Sequence, residues 1–384
     1  MSSIPITYQD YEILLLLQNE PTISFNQIAK KLGITPPTAK KKVESLKKRN
    51  IYRGKAVLYK PESLNLTRYF FILYTPSLES LQYLEAALKY HPYIISRTRF
   101  YGSRLGVFAQ FNYPKEKTEL LFAFIDALKK EGFVSSYLYY ESLGSRRTMQ
   151  IDLERLSLSS FRWTFDWEKC YSKLLTINPS PLPSPSPSVL DKMKPVDFKI
   201  LEILTRGKIP KNDGGFDSEI TQKKISNYLN IETTEIWRRY HFLQENVLSG
   251  YSSRFSREFF NINSEKIIFM TFKDETKLTR CFTLFTDEKE GPPFRYHIEA
   301  YRDSKDRKQL ILYVSLPQYH EAHLIYTLSK TASLRVYNVD TIGKSSVSYS
   351  FYSEAFDFKK KKWKVEDQFV LDGPLKEIKE ELEL

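Results

Sequence analysis

Cysteine is almost missing from this sequence: Cys170 and Cys281 are the only two in 384 residues. Two thiols cannot build a disulfide framework or a multi-cysteine zinc site. Long hydrophobic runs are missing too. The best, Ile13 to Leu17, falls far short of the roughly 18–20 apolar residues that a membrane helix needs. The opening MSSIPITYQD lacks the basic start and apolar core of a secretory signal. No P-loop pattern occurs, and no GxGxxG follows a strand, so nucleotide cradling has no support. Histidine is scarce. His320 and His323 in HEAH stand three apart, where a metalloprotease helix needs four, and an amphipathic helix end is the expected reading. These absences predict a soluble cytoplasmic protein with no membrane partner, no metal and no cofactor.

Aromatic residues, by contrast, are abundant. With 26 Tyr and 26 Phe the chain has material for ordinary cores, which a disordered chain lacks. Lys and Arg outnumber Asp and Glu by 58 to 46, an excess that suits a polyanionic partner. Its location is informative. Residues 1–192 carry a net +10, of which +6 lies within 1–62, whereas 193–384 carry only +2.

Residues Asn178 to Ser188 read NPSPLPSPSPS, with proline at every second position from 179 to 187. Fixed φ angles and missing donors make this an extended, semi-rigid spacer. The flanking halves align weakly with each other. Asp10 to Leu14 match Asp197 to Leu201; Ile28, Leu32 and Leu46 match Ile225, Leu229 and Leu243; Gly207 to Phe216 is an insertion. Further on, Phe71 pairs with Ile268, Tyr101 with Tyr301, Pro114 with Pro317, Tyr137 with Tyr337 and Gly144 with Gly343. Slowly drifting offsets are what loop changes in a duplicated unit produce.

Each unit opens with three helices. Tyr8 to Gln18 has helical apolar spacing. Ser24 caps a helix over 25–32, with Gln27 completing a capping box and Gly33 ending it. Thr35 caps a third helix to about Arg49, with Pro36 at its first position. Two short strands, Ile51–Arg53 and Ala56–Tyr59, are expected to form a wing hairpin around Gly54-Lys55. A βαββαβ pattern follows, from Tyr69 to Leu143. The expected fold class is α+β: two tandem units, each a winged helix-turn-helix followed by a ferredoxin-like sandwich. The expected domains are 1–62 (winged helix), 63–176 (sandwich), 177–192 (linker), 193–262 (second, divergent winged helix) and 263–384 (second sandwich with tail). Tails over Gln150–Tyr171 and Ser348–Gln368, the latter holding the basic run Lys359 to Lys362, follow the two sandwiches, and LKEIKEELEL closes the sequence as a short amphipathic helix.

FNQIAKKLGITPPTAKKKVESLKKRNI (25–51) and RTRFYGSRLGVFAQFNYP (97–114), followed by this sandwich pattern, resemble the Lrp/AsnC regulators. The resemblance implies a DNA-binding helix-turn-helix and a sandwich that mediates oligomerisation and effector binding. It places a small-molecule effector at Gly102, Ser103 and Arg104, although Ser103 and Arg104 stand where the family usually presents an aromatic and an acidic residue. The sandwiches are expected to pair as an intramolecular pseudo-dimer or in a homo-oligomer.

The third helices separate the two units. Over Thr35 to Arg49 there are six basic residues and one acidic, and over Glu232 to Asn246 two basic and three acidic. The first suits phosphate contact, which gives salt-dependent affinity with little base information. The partner expected is double-stranded DNA. The expected contacts are Thr35, Thr38, Lys40, Lys41, Lys42, Ser45 and Lys48, with Arg53 and Lys55 in the wing and Arg238 and Arg239 as auxiliaries. The leading reading is a non-enzymatic DNA-binding transcriptional regulator. The alternatives are an architectural nucleoid protein, and an Lrp-like haem-biosynthesis decarboxylase, for which Arg97, Arg99, Arg104 and His91 are the available groups.

Overall fold

The computed structural model describes residues 6–211, 215–217, 219–340 and 345–382. Gly343 and the middle of the 207–216 insertion therefore lie outside the described residues. The chain is a mixed α+β protein with an N-terminal winged helix-turn-helix and a large antiparallel sheet, consistent with Lrp-like folds.

Local chemistry sets the first three helices, α1 (Tyr8–Asn19), α2 (Phe25–Leu32) and α3 (Pro36–Lys48). Ser24 and Gln27 form the reciprocal capping box, and Gly33 ends α2 at φ 64°, where a side chain would be strained. Thr35 caps α3 with Pro36 at its start, and Ala39, Val43 and Leu46 supply the buried stripe. The expected wing hairpin does not form. Residues Tyr52–Tyr59 make one strand, β1, in which Gly54 (φ 90°) sits in a register shift and not a turn. Next come β2 (Leu66–Tyr74), α4 (Leu78–Leu88), β3 (Ile94–Tyr101), β4 (Gly106–Pro114), α5 (Thr118–Lys130), β5 (Ser136–Ser142) and β6 (Arg147–Met149). A short tail and α6 (Trp167–Thr176) complete the first half.

The same order recurs after the proline segment. It comprises α7 (Pro195–Arg206), α8 (Gln222–Leu229), α9 (Thr233–Asn246), β7 (Leu248–Phe255), β8 (Ser264–Thr271), α10 (Glu275–Phe285), β9 (Arg295–Asp303), β10 (Lys308–Leu316), α11 (Gln318–Ser329), β11 (Ser333–Val339), β12 (Ser346–Ser348) and α12 (Gly373–Leu382).

The two halves are interlocked. β1 pairs antiparallel with β7, so the segments that leave the two third helices form one ribbon. The sheets join at both edges, with β3 bonding β11 and β5 bonding β9. Because β9 also pairs with β10, the circuit β10-β8-β11-β3-β4-β2-β5-β9 closes on itself. Closure removes the open edges that would otherwise invite further strand pairing. One end of the interior is filled by Phe70, Ile72, Phe100, Phe108, Tyr140, Phe269, Tyr301 and Val339.

The tails are exchanged. Trp163 from the first tail donates its indole N–H to the carbonyl of Phe260 at 2.9 Å, and Trp363 from the second tail donates to the carbonyl of Leu64 at 2.9 Å. Each half thereby closes the other half's core. The proline segment lies as a strap on this body: Ser180 N–H donates to Thr283 Oγ1 at 2.9 Å, and Val189 N–H to the Ser63 carbonyl at 2.8 Å. Gly144 (φ 75°) lets Pro185 approach so closely that an added Cβ would lie 2.9 Å from it.

Candidate polyanion cavity and DNA-facing helix

Alternation along β9 aims Arg295, His297, Glu299 and Tyr301 into the closed sheet, while Tyr296, Ile298 and Ala300 face the helices. Opposite them β3 and β4 contribute Ser96, Thr98, Phe108 and Gln110. The β1–β7 ribbon adds Arg53, Arg254 and Phe255 at the mouth, joined by Arg257, and Arg146 enters just before β6. Together they line a cavity of about 510 Å³, within the usual range for a small-molecule site.

Its charge is unbalanced. Glu299 is neutralised by Arg68 at 3.1 Å, accepts from Tyr301 at 2.7 Å and is bonded by Ser142. Glu265 accepts from Tyr313 at 2.6 Å and pairs with Arg257. Among the described residues no carboxylate lies within ion-pair distance of Arg53, Arg146, Arg254 or Arg295. Burial, reinforced by neighbouring cations, pushes Arg146 and Arg295 down to about 10. Both stay charged at neutral pH, so they hold unspent attraction for an anion. His297 sits among them, with Nδ1 at 2.8 Å from Thr148 Oγ1. Desolvation first, then Arg146, Arg295 and Arg68, hold its pKa well below the ordinary histidine value, which keeps the ring neutral.

An anion bound beside His297 reverses those charge effects and raises its pKa. Binding then takes up a proton in the interval between the free and bound pKa values, so affinity should rise as pH falls through that interval. Calorimetry in buffers of different ionisation enthalpy measures this uptake. Affinity independent of pH in that interval would remove His297 from the site.

The structure distributes the sequence-derived contacts unevenly. Thr35, Thr38, Lys40, Lys41, Ser45 and Lys48 are exposed on one α3 face. Lys40 approaches Glu44 at 3.9 Å, and Lys41 and Lys48 have no carboxylate within 4 Å among the described residues. Lys42 turns inward to Asp10 at 3.1 Å, which Arg49 also approaches at 3.5 Å. Arg53 is a cavity residue and not a wing residue, because the ribbon replaces the hairpin. Lys55 lies over the Tyr251 ring at 5.2 Å in the same ribbon. Arg239 is buried against Asp197, its Nε donating at 2.7 Å, and Arg238 pairs with Glu235, so the second helix offers neither as a free cation.

Gly102, Ser103 and Arg104 form the exposed β3–β4 turn and do not line the cavity. Arg104 lies 3.9 Å from the Tyr74 ring centre and donates to Ser135 and Ser136. Arg97 and Arg99 face outward to Glu85 at 2.6 and 2.7 Å. His91 is buried between Phe111 and Phe124, pushed down to about 3 by desolvation. The HEAH pair lies on α11, against the exchanged first tail. His320 Nδ1 accepts from the Trp167 indole at 2.9 Å, and no cluster of three or more metal-ligating side chains occurs among the described residues. No helix among them is long and apolar enough to cross a membrane.

Residues 6–51 match the winged helix-turn-helix DNA-binding family. A search of curated proteins found no match. Among solved structures, the siroheme decarboxylase NirDL aligns with 98% of this chain and 100% of its own, at 13% identity and TM-score 0.49. It has also been solved with an iron-uroporphyrin III analogue. AsnC of Escherichia coli aligns with 36% of this chain and 92% of its own, at 18% identity and TM-score 0.30. A transcriptional regulator from Neisseria meningitidis, solved with L-Met, aligns with 36% of this chain and 90% of its own, at 17% identity and TM-score 0.31. The expectation that a chain of this architecture is non-enzymatic is corrected here: the structures matched along nearly its whole length are those of an enzyme.

Proposed function

We propose that the closed-sheet cavity binds a polycarboxylated tetrapyrrole and that the chain removes carboxyl groups from it. The observation that carries this reading is that Arg53, Arg146, Arg254 and Arg295, none with a carboxylate partner among the described residues, line one cavity with the neutral His297, on which Arg146 and Arg295 act directly. Guanidinium groups seat carboxylates in two-pronged hydrogen bonds that ammonium groups cannot reproduce. Phe70, Phe108, Ile267 and Ile311 supply apolar wall for a ring system. Decarboxylation releases carbon dioxide and leaves its electron pair on the adjacent carbon, which must take a proton. His297 lines the cavity and, with its pKa raised by bound carboxylates, is the side chain we assign to supply that proton. Absorbance titration with a carboxylated porphyrin tests the reading.

A second reading concerns the first helix-turn-helix. Lys41 and Lys48, exposed on α3 and without a carboxylate partner among the described residues, favour contact with duplex DNA, so a regulator of Lrp/AsnC type is compatible with a ligand-binding interior. In this reading two fused units, 1–176 and 193–384, pair within one chain, and the first winged helix dominates DNA binding. The cavity ligand then takes the role of effector.

A further inference from the structure

The cavity lies between strands that correspond across the two halves, and the correspondence can be followed by register. β6 pairs with β9 so that His297 faces Thr148 and Ile298 faces Arg147. β12 pairs with β3 so that Ser96 faces Ser348 and Arg97 faces Val347. Ser96 therefore occupies the place that His297 occupies in the other half. One step along the inward face, Thr98 bonds Ser346 at 3.0 Å where Glu299 and Arg146 stand opposite. Two walls with the same backbone thus carry different chemistry. The β9–β6 wall is charged, and the β3–β12 wall is a set of small hydroxyls.

We infer that this asymmetry admits one ligand per chain in one orientation, with its carboxylates clustered along the edge that meets Arg146, His297 and Arg295 and a neutral polar edge against Ser96, Thr98 and Ser346. The inference rests on the cavity being a polyanion site and adds the charge distribution of the ligand. The β3–β12 wall supplies no guanidinium of its own, because the arginines of β3, Arg97 and Arg99, face away and are held by Glu85. Charge spread around a ligand is therefore poorly matched, and charge gathered on one edge is well matched.

Two isomeric probes of equal charge test this on the intact chain: benzene-1,2,3-tricarboxylate, with its groups on one edge, and benzene-1,3,5-tricarboxylate, with them dispersed. Calorimetry should show one site per chain and at least about tenfold tighter binding of the 1,2,3 isomer. Arg146→Met should weaken that isomer by about tenfold or more, and Ser96→Ala with Ser346→Ala by much less. Circular dichroism of each variant separates lost binding from lost folding. Equal affinities for the isomers, two sites per chain, or equal losses from the two walls would overturn the asymmetry while leaving a polyanion site in place. Failure of both isomers to bind would overturn the site itself.

Discussion

Replacing Asp197 by alanine is expected to lower unfolding stability by about 3–5 kcal/mol, the usual consequence of stranding one partner of a buried pair. Asp197 is fully buried at the start of α7, where it accepts from the Lys194 backbone N–H at 2.6 Å and from Arg239 of α9. Its removal leaves a guanidinium enclosed among Phe242 and the α7–α9 contact with only the Lys192 carbonyl, at 3.3 Å, to bond. The double change Asp197→Ala with Arg239→Met should recover much of the loss, because it removes the stranded charge along with its partner. Asp10 holds the matching position in the first half, yet its partners Lys42 and Arg49 remain partly in solvent. Asp10→Ala should therefore cost only about 1 kcal/mol. Urea unfolding of the three variants checks the ranking; similar losses for Asp10→Ala and Asp197→Ala would contradict it.

Lys41→Glu combined with Lys48→Glu is expected to reduce duplex DNA affinity on the order of a hundredfold and to flatten the salt dependence by about two counterions. Both ammonium groups are exposed on α3 and, among the described residues, have no carboxylate partner, so charge reversal replaces attraction by repulsion without disturbing the fold. Lys42 is unsuitable for this test because it stabilises Asp10. Arg238→Ala should change affinity little, since that guanidinium is already engaged by Glu235. Fluorescence anisotropy with a labelled duplex at several salt concentrations reads both quantities. Unchanged affinity in the double variant would move any DNA contact off α3.

These two results concern features that differ in how local their causes are. The caps Ser24, Gln27, Gly33, Thr35 and Pro36 act within one turn of their own helix, so their spacing alone places α2 and α3. The wing hairpin expected from the turn chemistry of Gly54-Lys55 does not form, because the partner that straightens β1, residues 248–255, lies in the other half. Arg239 is an expected auxiliary DNA contact, but a buried carboxylate on α7 turns that position into a core contact. The cavity was the hardest to see. Its residues come from strands more than two hundred positions apart, and nothing within RYHIEAYRD itself tells which face of the strand is enclosed. The available signal was the run of Arg295, His297, Glu299 and Tyr301 on a single face. It gains meaning only once closure of the sheet puts that face inside.

The central claim is that the arginines around His297 hold a polycarboxylate inside the closed sheet. Absorbance titration of the purified chain with an octacarboxylate porphyrin tests it most directly, with the Arg146→Met, Arg295→Met double variant beside it. The account predicts a saturable spectral shift at one porphyrin per chain, abolished in the variant while its circular dichroism is unchanged. No shift with the unaltered chain, or an equal shift with the folded variant, would contradict it.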